Sequence, residues 1–314
     1  MQLMQSTMEN DMRPRHQPLL VFALLLAVSP GAPYEARAQH VGADTLTHVH
    51  GLAYSADGKQ LMVPSHHGLA VYTGGKWAKA PGPQHDYMGF AATRSRLYSS
   101  GHPAPDSKLI NPFGLIRSGD GGKTWDKLSL EGESDFHLMA ASWNTNAVYV
   151  WNAERNSRMP SPGLYFTVND GFMWQRAAVK GLAGTPRAIA VHPGDAKIVS
   201  VATSAGVYLS RNSGDSFEPV AQKGEGLAVF FDLDGKHLWH STHDDGPRLA
   251  RTALRGGANT AVTLPPLIED AVAYIAQNPA GAGEYAIATF ERSVYVTQDS
   301  GRTWRQIARN GRGM

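Results

Sequence analysis

The chain has 314 residues, 42% of them hydrophobic and 18% charged, so it can bury a large core and is neither disordered nor fibrous by composition. Its formal net charge is +2, and no run of Lys and Arg is interleaved with aromatics, so it lacks the electrostatic footprint of a binder of nucleic acid or of an anionic membrane. Cysteine is absent, which excludes disulfides, Cys nucleophiles and thiolate metal sites and leaves His, Asp, Glu, Met or backbone oxygens for any metal.

In chain order, residues 1–38 read as a secretory signal. Arg13, Arg15 and His16 precede an apolar run from Leu19 to Val28, and the small-residue site Ala36-Arg37-Ala38 follows, with cleavage expected after Ala38. The run is too short to anchor in a bilayer, so a periplasmic or secreted protein without a membrane span is expected. Met4, Met8 and Met12 leave the true start open.

From residue 48 onward, six segments share one order of features with a period of about 45 residues. Each opens on a short apolar strand: GLAYS (51–55), GFAAT (89–93), LMAAS (138–142), AIAVH (188–192), AVFFD (228–232) and YIAQN (274–278). A second strand follows a polar turn in each, a third comes next, and a polar fourth completes the set. This predicts an all-β, six-bladed propeller of four antiparallel strands per blade, with blades over about 48–82, 86–130, 135–182, 185–223, 225–267 and 269–309. Residues 40–47 are a candidate extra strand for the last blade.

Between the third and fourth strands, four segments carry the turns SGDGGKTW (118–125), TVNDGFMW (167–174), SRNSGDSF (210–217) and TQDSGRTW (297–304). Asp120, Asn169, Asn212 and Asp299 are suited to accept backbone N–H bonds within a tight turn. Gly122, Gly171, Gly214 and Gly301 permit a positive φ, and Trp125, Trp174, Phe217 and Trp304 supply a ring to wedge between sheets. These are structural assignments, and they place the turns on the face away from the channel mouth.

The turns resemble the Asp-box of the BNR repeat family, which includes sialidases, sortilin-type propellers and photosystem assembly factors. The resemblance spans nearly all of the chain after the signal. A sialidase would imply an arginine triad and a Tyr/Glu nucleophile pair, but blade one shows THVHGLAY (47–54), and Arg155, Arg187, Arg248 and Arg292 do not match a triad.

The blade alignment singles out the mouth. Residues leaving the second strands include His66, His102, His243 and Glu291; residues leading into the first strands include His48, Asp86, Asp135 and Glu225, with His50 and His137 two positions on. His67 and His85 adjoin the same loops. Three readings follow. Imidazole with carboxylate suits a transition metal such as Zn or Cu, held by His66, His102 and His243 with His48, His50 or His137. Asp86, Asp135, Glu225 and Glu291, with Glu154, Asp244, Asp245, Glu269 and Asp270, offer carboxylate pairs for glycoside hydrolysis. Tyr87, Phe90, Trp143, Trp151 and Phe290 could make a non-catalytic protein or glycan scaffold. The loop 151–162 is long enough to gate the mouth.

Overall fold

The computed structural model describes residues 46–256 and 259–314; the predicted signal and residues 39–45 lie outside the described residues. Among those described, regular structure is entirely strand, in six antiparallel sheets that follow one another along the chain. Blade one comprises Ala53–Tyr54, Leu61–Ser65, Gly68–Thr73 and Lys76–Lys79; blade two Asp86–Ala92, Leu97–His102, Leu115–Ser118 and Asp126–Ser129. Blade three is Met139–Ala141, Val148–Asn152, Gly163–Thr167 and Gln175–Arg176; blade four Pro186–Val191, Val199–Thr203, Gly206–Ser210 and Glu218–Ala221. Blade five is Glu225–Phe231, His237–His243, Pro247–Ala253 and Asn259–Val262. Blade six is Val272–Gln277, Tyr285–Thr289, Val294–Thr297 and Arg305–Arg309, to which Arg312–Gly313 adds a short fifth strand.

Strand alternation builds the ring. In a strand, neighbouring side chains point to opposite faces, so a sandwiched blade must be apolar on both. Ala53 packs with Tyr87 and Phe90 of blade two, whereas Tyr54 packs with Ala276 and Ala286 of blade six. Leu97 likewise joins the cluster shared with blade one and Tyr98 the cluster shared with blade three. Six such clusters, one per blade interface, make the core. This explains why the second strands are buried almost continuously rather than at every other residue. The tapered ends carry the aromatic wedges: Trp125 lies against Tyr87, and Phe217 is buried between blades three and four.

Among the described residues the ring closes without exchanging a strand between its ends. Trp77 of blade one donates its indole N–H to Ile307 O of blade six at 2.7 Å, and Asn278 Nδ2 donates to Gly58 O at 3.0 Å. Residues 46 and 47 form no strand; Leu46, 1% exposed, joins the core between blades one and six, with its N–H bonded to Gly311 O.

The recurring turns have the geometry their residues predict. Asp120 Oδ1 accepts the N–H groups of Lys123 and Thr124, both at 3.0 Å, and Oδ2 accepts the Thr124 hydroxyl; Asp299 repeats this with Arg302 and Thr303. Those bonds hold both carboxyls well below the usual range. Asn169 and Asn212 accept from Met173 and Ser216 at 3.0 Å. Gly122 sits at φ +90°, where a side chain would also meet Leu69.

The long loop 151–162 is pinned rather than poised to gate. Asn156 accepts the Met159 N–H at 2.7 Å and donates to Ser134, Ser157 is bound at two atoms by Glu133, and Met159 is fully buried.

Candidate metal centre at the channel mouth

Residues 48–50 run extended into the first strand of blade one, with the His50 N–H bonded to Pro64 O. Spaced by two, His48 and His50 project to the same side, and their rings stack at 5.6 Å. His66 comes from the two-residue turn closing the hairpin Ser65–Gly68. Gly68 makes that turn possible: its φ is +92°, and a Cβ there would strike the Gln84 side chain. The turn brings the His66 ring to 4.1 Å from that of His48 and 4.7 Å from that of His50.

One ring nitrogen from each of His48, His50 and His66 can be chosen so that all three lie within 4.8 Å of one another. Tetrahedral zinc with bonds of 2.0–2.1 Å has ligand atoms about 3.3 Å apart, a contraction that imidazole rotation can supply. Burial, followed by the neighbouring His66 charge, pushes His50 down to about 4, against the pull of Asp86. Burial lowers His48 in the same direction. Both rings are therefore held in the neutral, lone-pair-bearing form a metal requires. His50 Nε2 is buried without a protein partner.

Behind His66 stands Asp86, whose Oδ1 lies 2.8 Å from His66 Nδ1, out of line for a hydrogen bond. Contact at Nδ1 leaves Nε2 of His66 for a ligand. Asp86 is placed by its own strand: Gly101 of the neighbouring strand lets the backbones approach so closely that a Cβ there would fall 2.1 Å from Asp86 O.

The same pattern recurs one blade on. His102 Nε2 of blade two lies 3.2 Å from Asp135 Oδ2 of blade three, and His102 Nδ1 bonds Asn111 Oδ1 at 2.7 Å. His137 Nε2 donates to the same Asp135 oxygen at 2.7 Å, and that bond raises the His137 pKa. In the next pairing Arg187 of blade four meets Glu225 of blade five at 3.0 Å.

The candidate residues thus divide. His48, His50 and His66 gather, with Asp86 beside them; His102 and His137 gather on Asp135 instead. His243 stands apart: it is exposed on blade five, opposite blade two, and is not a member of either group. Glu291 is exposed on blade six, its N–H bonded to Asp270. His85 does not face the mouth; it is 3% exposed, accepts the Ala104 N–H at Nδ1 and packs on Tyr87 and Phe113. Of the aromatics, Tyr87 and Phe90 are buried in the core, while Phe290 is exposed. The four arginines do not form a triad: Arg187 pairs with Glu225, Arg248 with Asp244, Arg292 donates to Thr47 O, and Arg155 is exposed.

Sequence reasoning passed over a second group, Asp232, Asp234 and His237 in blade five, whose ligand atoms also come within 4.8 Å. Asp232 is 1% exposed and fully engaged. Its Oδ1 accepts the Trp239 indole at 2.7 Å and the Tyr285 hydroxyl at 2.8 Å, and its Oδ2 accepts two N–H groups of Arg251. His237 Nδ1 lies 3.2 Å from Oδ2 without the alignment of a hydrogen bond. This carboxylate is a joint between blades five and six.

No protein-family model matches the sequence, and no curated protein matches it. Among solved structures the chain is similar to the GH74 xyloglucanase from Xanthomonas campestris (16% identity, TM-score 0.55, covering 85% of this chain and 46% of that one). It is also similar to a GH74 enzyme from Niastella koreensis (14%, 0.57, 85% and 46%) and to TolB from Acinetobacter baumannii (13%, 0.56, 83% and 63%). The chain spans about half the length of the two GH74 proteins. At such identities the likeness is one of fold, and the fold is a six-bladed β-propeller.

Proposed function

We propose that the protein is an exported, Asp-box propeller that binds a transition metal, Zn(II) or Cu(II), at the mouth of its channel through His48, His50 and His66. Asp86 acts behind His66 as the carboxylate that orients the imidazole and raises its basicity. The single observation that carries this reading is that one ring nitrogen from each of the three imidazoles can lie within 4.8 Å of the others, in a group where His50 Nε2 is buried and unpartnered. The absence of cysteine favours a nitrogen-and-oxygen donor set. The Asp-box assignment is supported by the four matching turns, and export by the basic, apolar and small-residue sequence of residues 1–38.

The test is zinc and copper titration of the tag-free mature protein by calorimetry, with metal content read by mass spectrometry. One tightly bound equivalent is expected at the three-histidine group, lost in a His48→Ala, His50→Ala, His66→Ala variant and retained in His243→Ala. Equal metal content in wild type and the triple variant would refute the site.

A further inference from the structure

Directly beneath the histidines, the six first strands enclose a cavity of about 180 Å³. Its wall is apolar because the first strands turn to the channel residues that also pack at the blade interfaces. Leu52, Leu138, Ala188, Phe230 and Tyr274 lie against the inter-blade clusters on one side and are partly exposed to the cavity on the other. Tyrosines aside, the ionisable groups along it are His50, His137 and Arg187. All three lie where the chain leads into the first strands, so they ring one end only.

The cavity is therefore polar at the mouth and oily below. Arg187 spends one donor on Glu225 and His137 uses Nε2 on Asp135, which leaves four guanidinium N–H groups, and the Nδ1–H of His137 when its ring is protonated, for another acceptor. A hydroxyl-rich sugar would lose its hydration against the wall below with nothing to replace it. A short hydrocarbon body would not, and an apolar cavity of ~150 Å³ is enough to take benzene.

We propose that this channel binds a small monocarboxylate with an aryl or short alkyl body. The body occupies the apolar tube, and the carboxylate sits at the mouth against Arg187 and His137. The proposal rests on the metal reading in one respect: a metal at His48, His50 and His66 would offer the carboxylate a further partner.

The test titrates acetate, butanoate, hexanoate and benzoate into zinc-loaded and metal-free protein by calorimetry. Each methylene taken into the tube should tighten binding about fourfold, so hexanoate should bind on the order of 200-fold more tightly than acetate in both forms. Ala188→Leu, which narrows the tube, should weaken hexanoate and benzoate at least tenfold and leave zinc stoichiometry unchanged. Arg187→Gln, which keeps the tube, should weaken hexanoate but not 1-hexanol. Equal affinity across the acid series, or no binding of hexanoate to either form, overturns the proposal. Failure of the metal reading would instead show as absent zinc with the chain-length dependence intact.

Discussion

Replacing Asp232 by alanine should destabilise the propeller more than any change at the mouth. The Trp239 indole and the Tyr285 hydroxyl both end on Asp232 Oδ1, and these residues are 0% and 1% exposed, so water does not replace the lost acceptor. An orphaned buried donor costs about 1–3 kcal/mol. Arg251, whose side chain is 31% exposed, reaches solvent and contributes less. The sum is about 3–6 kcal/mol, a large part of the 5–15 kcal/mol typical of a folded domain. At roughly 2–4 °C per kcal/mol for a chain of this size, the melting temperature should fall by about 6–24 °C. Asp232→Asn, which keeps an acceptor for both neutral donors, should lose less, and Tyr285→Phe about 1 kcal/mol. Urea denaturation of the three variants, repeated with EDTA and with zinc, is the assay. A loss below 1 kcal/mol for Asp232→Ala would refute the joint, as would a zinc-dependent gain in stability that disappears in this variant, since that would make Asp232 a ligand.

Three further outcomes follow from single residues. Asp86→Asn should weaken zinc binding about 10–100-fold while leaving the melting temperature of the metal-free protein nearly unchanged, as read by calorimetry and thermal unfolding. His240 is 2% exposed and burial lowers it from 6.5 to about 4, so the unfolded chain binds the extra proton first; its contribution is complete above pH 6.5 and about 3 kcal/mol should drain away between pH 6.5 and 4, a slope that His240→Gln should flatten in denaturation series. Burial pushes Asp170 up, but the bonds from Tyr98 and Arg96 and the charges of Arg96 and Arg117 outweigh it and leave the carboxyl below its usual range; stability from this clamp is present above the ordinary carboxylate pKa of about 4 and lost as pH falls below it, and Asp170→Ala should cost about 1–3 kcal/mol at neutral pH.

The fold was legible because its causes are local. A repeat of apolar strand, polar turn and box turn states its own period, and each turn residue acts within four positions of itself, as Asp120 does with Lys123 and Thr124. Blade five shows the limit of that reasoning. It lacks the box turn, and its Asp232 sits in an ordinary polar turn whose sequence, Asp232-Leu233-Asp234-Gly235, looks solvated. The partners that bury it, Trp239, Arg251 and Tyr285, are 7, 19 and 53 residues away, and nothing in their spacing announces a meeting. His85 was misread for a similar reason: it lies next to Asp86 in the chain, but strand alternation turns it into the core against Phe113.

The mouth was legible as two columns of residues but not as pairs. Within a blade, Asp86 and His102 are register partners across neighbouring strands, and so are Glu225 and His243, which makes each couple the natural candidate for a contact. The side chains pair otherwise. The carboxylate leading into one blade meets the base of the blade before it: Asp86 meets His66, Asp135 meets His102, and Glu225 meets Arg187. Adjacent residues in a sheet present side chains to the same face, and on a sandwiched blade that face belongs to the neighbouring blade. A histidine of blade one is therefore set by an acid of blade two. The stagger also explains why His243 stands alone: Asp135 and Asp86 supply the acid for His102 and His66, but the corresponding position before blade six is Ala271, which has no acid to offer. The histidines expected to share one site, His66, His102 and His243 with His48, His50 or His137, consequently separate where the acids stop, and the candidate ligands gather on blade one, where two histidines of the leading segment and one of the hairpin meet the first acid of the series.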